Sequence, residues 1–402
     1  MDAFTLLVFS LIAVFALFLL WLEGLLSGAK RQLLCLLLVI AAFVLRLICM
    51  AHVTADYTNF LSVWVDYFRD NGGFSALSQS VGNYNVPYLY FLAAISCSGS
   101  SDLIWIKLFS IFFDVLLAYG VMKLVGLSAH GEARRLFSFF AVLFLPTVLL
   151  NGAYWGQCDS VYTAFAVLSI WCALSDHPVL SVILIALSFS FKLQAVFIMP
   201  VFLVFLFTGH IKPKHLPAFP LTYLVVVLPA VLAGRPLVDT LTLYIDQGGT
   251  VGSGLNYNSP SLFAILRNAT PELWSKAGII LAFLFLVLLY LWFLKVRDSL
   301  TRESLVAICA LMCIGIPFLL PHMHDRYFFP ADIFTLAFAL CLPRYFLVPI
   351  FTQFASLLGY HAYLRGRYLL PMRQGSYALI AAMLLLGLYL SATTMDLTRE
   401  RE

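Results

Sequence analysis

The stretch PHMHDRYFFP, residues 321–330, sets His322, His324, Asp325 and Arg326 within five positions of a chain that is 62% hydrophobic and only 11% charged. Arginine offers a planar fork of donors that matches phosphate oxygens, and a neighbouring histidine can donate a further hydrogen bond. In a helical segment His322 and Arg326, four residues apart, would share a face, with His324 and Asp325 pointing elsewhere. His-x-His plus aspartate could also ligate zinc, but such sites gather more strong ligands nearby and none is evident. The anion site is the preferred reading, and no metal or other cofactor is expected.

Three other places hold unusual polar residues. Lys192, in SFSFKLQAVFIMP, lies between two apolar runs with no acid beside it. A charge at such depth is costly and marks a site unless the side chain snorkels to the surface. NGAYWGQCDSVYTAF gathers Asn151, Tyr154, Trp155, Gln157 and Asp159. A flat aromatic face with amide and carboxylate groups is what a sugar site needs, and Gln194 and Asn256 are further candidates for sugar or acceptor contacts. Equally, Tyr154 and Trp155 could be interface anchors and Asp159-Ser160 a helix cap. Asp56 follows the second apolar run. It reads as an N-cap of the next helix or as a general base, being a carboxylate with no obvious metal partner.

Together these groups suit glycosyl transfer from a polyprenyl-phosphate sugar. The acceptor hydroxyl would lose its proton to Asp56 and attack the anomeric carbon. The lipid phosphate would depart against Arg326, Lys192 and His322 or His324, and direct displacement would invert the anomeric configuration. The partners expected are that donor, a glycan or glycolipid acceptor and the lipid bilayer. No basic run is dense enough for nucleic acid, and the net charge of +4 is modest.

Positioning such groups falls to helices. Apolar runs near 4–26, 32–51, 103–126, 136–151, 160–175, 179–191, 194–209, 216–233, 275–294, 304–320, 328–342, 345–360 and 377–394 exclude a soluble globule. They predict an all-α polytopic membrane protein with about 11–13 transmembrane helices, forming a single transmembrane domain over residues 1–402. The first run is read as a retained span, because Lys30-Arg31 follows it and no basic region precedes it. The eight cysteines are scattered in apolar runs and suit helix interfaces.

Lys30-Arg31, Arg134-Arg135, Lys212, Lys214, Lys295, Arg297 and Arg302 fall on one side, which is then cytoplasmic. Arg365, Arg367 and Arg373 would land outside, so an interfacial helix is expected within 345–376. The outer face then receives a loop over 52–102 with interfacial helices, the 154–160 turn, a mobile outer loop over 234–274 and the 321–327 stretch. In the first loop, Phe60, Val63, Trp64, Tyr67 and Phe68 follow a helical period, and VPYLYFLAAIS at 86–96 is too short to span. SGLNYNSPSLFAIL at 253–266 could act as a lid. Asn268-Ala269-Thr270 is a formal glycosylation sequon, but Pro271 follows it, which makes it weak evidence for a eukaryotic secretory setting.

TADYTNF, YLYFLAAIS, NGAYWGQCDSVYTAF, FKLQAVFIMP and MHDRYFFPADI, in that order, resemble the GT-C superfamily of integral-membrane glycosyltransferases. The resemblance covers about residues 40–340 and is strongest to prokaryotic relatives of the GPI-anchor mannosyltransferases that add the second mannose. It implies a polyprenyl- or dolichyl-phosphate-sugar donor and a metal-independent, inverting transfer of mannose or another hexose. It also implies an active site on the non-cytoplasmic side, here of a bacterial plasma membrane rather than the ER. The catalytic acid maps onto Asp56, and the late His/Arg motif onto His324 and Arg326. The chain departs from the family pattern in reading NYNVPYLY before the second surface segment, and in having Asp66 ten residues beyond Asp56 in place of a close acid pair. The rival readings are a transporter or flippase of lipid-linked sugars, and a membrane glycan polymerase or ligase. No inverted repeat of interrupted helices supports the first.

Overall fold

The computed structural model describes residues 1–128, 131–250, 252–266 and 270–399. Its first nine helices are α1 (Ala3–Leu22), α2 (Ala29–Met50), α3 (Ser62–Asp70), α4 (Val86–Ser96), α5 (Asp102–Gly126), α6 (Glu132–Leu143), α7 (Pro146–Leu149), α8 (Asp159–Leu174) and α9 (Pro178–Phe191). There follow α10 (Val201–Thr208), α11 (Ala218–Leu232), α12 (Leu237–Thr250), α13 (Pro271–Val296), α14 (Arg302–Leu319), α15 (Phe329–Cys341), α16 (Leu347–Arg365) and α17 (Arg373–Arg399). The protein is an all-α polytopic membrane protein, as such apolar runs require, because a helix satisfies its own backbone groups where no water can.

Among the described residues, seven helices are long and apolar enough to cross a membrane: α1, α2, α5, Pro213–Leu232 around α11, α13, α14 and Arg373–Thr393 of α17. Glu132–Leu143 and Pro146–Trp155 meet at 44° and would make an eighth span. Pro146 breaks that pair, since it lacks an N–H and forces Leu145 into an extended conformation. The expected 11–13 is reached only when the shorter apolar helices α4, α8, α9 and α15 are included. The core lies where α8 packs on α5 and α9, and α14 on α15, while α16 bridges α15 and α17. By contrast α11 and α13 leave most of their apolar side chains exposed, as lipid-facing helices do.

Several segments differ from expectation. The aromatic face of α3 is divided: Phe68 and Val65 point inward, whereas Phe60 and Val63 are half exposed. Helix α4 is packed into the protein, with Tyr88, Leu89, Leu92 and Ala93 buried against its neighbours α3, α5, α9 and α11. The 234–274 stretch contains α12, and a short strand β1 (Asn256–Tyr257) follows it. Asn268 and Ala269 of the sequon lie outside the described residues. The helix within 345–376 is α16, with Thr352, Ala355, Gly359 and Tyr360 buried between α15 and α17. The 321–327 stretch is not helical. Its Met323–His324 strand, β2, pairs in parallel with β1, setting Asn256 beside Met323 and Tyr257 beside His324.

Candidate active site

The last carbonyls of a helix need donors from outside it. At the end of α2 they come from Lys107 of α5, whose Nζ donates to the carbonyls of Cys49 (3.3 Å), Met50 (3.1 Å) and His52. The same ammonium donates to the Tyr154 carbonyl at 3.0 Å. Thr54 Oγ1 donates to the Trp155 carbonyl at 3.1 Å, and Ser110 Oγ to that of Gln157 at 2.6 Å. One buried lysine and two hydroxyls thus fasten the chain leading to Asp56 against the turn that carries Trp155 and Gln157. Gly156, at φ +83°, supplies the left-handed turn between those two residues.

Asp56 makes no capping bond. Its Oδ2 accepts from Trp155 Nε1 at 2.8 Å and Gln157 Nε2 at 2.6 Å, and its Oδ1 accepts from the Tyr363 hydroxyl. A carboxylate has about four acceptor positions, so the group is held rigidly with room for one more partner. Tyr363 reaches it from α16, stacked on Trp155 with ring centres 4.5 Å apart. Gly359 permits that approach: a Cβ there would lie 2.8 Å from the Asp325 carbonyl oxygen and 2.9 Å from that of Asn258.

Arg326 stands among three carboxylates without bonding closely to any. Its Nη1 is 3.9 Å from Asp56 and 3.6 Å from Asp325, and its Nε is 3.7 Å from Asp159. The Nε is buried and has no hydrogen-bond partner, and the guanidinium lies 5.5 Å from the centre of the Trp155 ring. Lys192 does not snorkel. It is 7% exposed, bonds to Asp159 Oδ1, and sits between the rings of Tyr84 and Tyr162 at 5.9 and 5.7 Å. Asn151 Nδ2 holds the other Asp159 oxygen at 2.8 Å. Ser160 caps nothing, since its hydroxyl donates to Asp114.

A cavity of about 290 Å³ is lined by Asp56, Gln157, Lys192, Gln194, His324 and Arg326, so six of the residues singled out by type converge. Asn83, Tyr84, Tyr244 and Tyr363 also line it and were not singled out. A second, more apolar chamber of about 600 Å³ shares Asn83, Leu193, Gln194, His324 and Tyr327 with the first. It continues past Phe197, Leu320 and Met323 to Ile279, which is 56% exposed on α13.

Other candidates do not reach the polar cavity. His322, at φ +62°, faces the Gly254 carbonyl with Nδ1 (2.7 Å) and Ser275 Oγ with Nε2 (3.0 Å), and it lines only the apolar chamber. The β1–β2 pairing turns it away, where a helix would have set it beside Arg326. The Asn256 amide is engaged by Ser259 and Ser261 of its own loop. Tyr154 stacks on His52 at 3.8 Å. Trp155 is fully buried beneath Tyr363 and offers no open face to a sugar; it acts here as a donor to Asp56. Asp159 does not line the cavity; it pairs with Lys192 and stands 3.7 Å from Arg326, so one carboxylate faces two cations.

Burial drives the His324 imidazole down to about 4, helped by Arg326 and Lys192, so it is neutral at neutral pH. Burial pushes the Asp325 carboxyl up to about 7 against the pull of Arg326. Among the described residues no group of three His, Cys, Asp or Glu side chains is placed to hold a metal ion.

Weak signals for the missed residues do exist. Tyr84 stands between two asparagines in GNYNVP, and Tyr363 lies just before the arginines that violate the expected charge bias. No family model and no curated protein matches the chain.

Proposed function

We propose that the protein is an inverting glycosyltransferase of the GT-C type, moving a hexose from a polyprenyl-phosphate donor to an acceptor hydroxyl. The observation that carries this reading is that Asp56 and Arg326 share one cavity wall, 3.9 Å apart, beside a chamber that reaches a lipid-exposed helix. The polar cavity would hold the sugar and phosphate, and the apolar chamber the first isoprene units.

In the reaction the acceptor O–H proton moves to Asp56, and the freed oxygen attacks the anomeric carbon from the face opposite the phosphate. The carbon–oxygen bond to phosphate breaks, and its electron pair leaves on the phosphate. The diester carries one negative charge and the released lipid phosphate two. Asp56 becomes neutral as that second charge forms, so Arg326 loses one anionic neighbour while another develops. Lys192 adds positive charge, and neutral His324 can contribute a hydrogen bond. Gln157, Gln194 and Asn83 line the space where sugar hydroxyls would lie.

Cations crowd the end of the bundle opposite the cavity, where Lys123 and Arg135 meet Glu23 and Arg31 meets Glu132. Under the positive-inside rule this distribution supports the reading that the cavity faces the non-cytoplasmic side. The test is incubation of the purified protein with a panel of polyprenyl-phosphate hexoses and mass analysis of the products. Asp56→Asn is expected to lower transfer about 10²–10⁴-fold with the fold retained. Near-normal turnover in that variant would remove Asp56 as base. Movement of lipid-linked sugar across sealed vesicles without covalent product would favour a transporter.

A further inference from the structure

The turn after α16 carries Arg365, Arg367 and Arg373 at the same end of the bundle as the cavity, because Tyr363, two residues before Arg365, touches Asp56. Its backbone is firmly held. Gly366 ends α16 at φ +63°, and His361 Nδ1 lies 3.0 Å from the Arg367 carbonyl. The Tyr368 hydroxyl donates to Asn258 Oδ1 at 2.5 Å, and Met372 is buried against Leu358 and Ala362. The arginine side chains are not held in the same way. Among the described residues none of the three guanidinium groups has a hydrogen bond or ion pair, and Arg365 and Arg367 are exposed. Cations at the opposite end behave differently: Lys123, Arg135 and Arg31 all meet glutamates.

Tyr368, Leu369 and Leu370 are 60%, 68% and 43% exposed beside these arginines. With Ala264, Met372 and Arg373 they line a concavity of about 400 Å³. Tyrosine and leucine flanked by arginine suit the level of lipid headgroups, where aromatic rings and guanidinium groups both find partners. Three unpaired arginines at the end that carries fewer cations run against the usual topology bias, and an anionic headgroup at that level would offset them.

We propose that this turn is a binding site for an anionic glycerophospholipid of the leaflet on the cavity side. The arginine forks would hold the headgroup phosphate, and the Tyr368–Leu370 concavity would take the glycerol and the first acyl carbons. The site is independent of the transfer reaction, since it shares no residue with the cavity that holds Asp56 and Arg326.

The test uses the full-length protein in nanodiscs of phosphatidylglycerol and phosphatidylcholine, with the lipid that remains bound after delipidation quantified by mass spectrometry. Wild type is expected to enrich phosphatidylglycerol over its bulk share. The enrichment should fall roughly fivefold for each arginine replaced by glutamine at 365, 367 or 373, and lysine replacements should keep most of it. The cations of the opposite end give a background common to all variants. The single substitutions serve if the triple variant does not fold. Wild-type enrichment in the glutamine variants would overturn the proposal. So would displacement of the bound lipid by millimolar inorganic phosphate alone, which would mark a site for a soluble phosphate instead.

Discussion

Two arginines of this protein, one fully buried and one open to a cavity, meet aspartates in opposite ways. Arg46 on α2 places Nε and Nη2 on Asp114 Oδ2 at 3.1 and 3.0 Å, and Nη1 on the carbonyls of Leu143 (3.0 Å) and Ala42 (3.2 Å). Asp114 Oδ1 takes the Ser160 hydroxyl at 2.6 Å. Both side chains are fully buried, and the network ties α2, α5, α6 and α8 together. Arg326 has three carboxylates within 4 Å, no close bond to any of them, a buried Nε without a partner and 17% exposure toward a cavity. Native proteins seldom leave buried donors unused, so the contrast separates an arginine that completes the fold from one held ready for a ligand. Position along the sequence does not distinguish them, since both stand in or beside apolar runs.

That contrast can be tested first at the structural pair. Arg46→Ala leaves Asp114 buried without its cation and should destabilise the protein by about 3–5 kcal/mol, read as a lowered midpoint of unfolding in detergent. An unchanged midpoint would erase the distinction. Arg326→Ala should do the reverse, lowering transfer about 10²–10³-fold while the unfolding midpoint stays close to wild type. If stability collapsed as it does at position 46, Arg326 would belong with the structural arginines.

Gly359→Ala tests how the two regions are kept in register. The added methyl would meet two backbone carbonyl oxygens, at 2.8 and 2.9 Å, neither of which can rotate away. A loss of about 1–3 kcal/mol is expected, with reduced transfer as Tyr363 withdraws from Asp56. Wild-type stability and rate together would show that α16 can shift without consequence.

The smallest effect is a pH dependence. Between pH 3.8 and about 7 the folded Asp325 carboxyl keeps a proton that the unfolded one has lost, so its contribution to stability falls as pH rises. His324 acts in the opposite direction. Its folded imidazole is neutral between about 4 and 6.5, where the unfolded one is charged, so stability rises with pH across that window. Asp325→Asn removes the falling contribution. The variant's unfolding midpoint should therefore gain on wild type as pH is raised from 4 to 7. A difference that does not change with pH would mean the carboxyl ionises normally beside Arg326.

The sequence alone determined that this chain is helical and membrane-embedded, because long apolar runs can bury their backbone groups in lipid only as helices. It also pointed to Asp56, Gln157, Lys192, Gln194, His324 and Arg326, because polar side chains stand out in apolar surroundings and few are retained there without a role. Only the tertiary structure decided which of the candidates meet. The pairing of β1 with β2 turns His322 away, stacking by Tyr363 closes the face of Trp155, and Asp159 answers Lys192 across 33 positions of sequence. Tyr363 and Tyr84 are two of 19 tyrosines that residue type does not tell apart. Their place at the cavity comes from how α16 and the loop before α4 pack, a matter of contact through space that residue type and spacing do not encode.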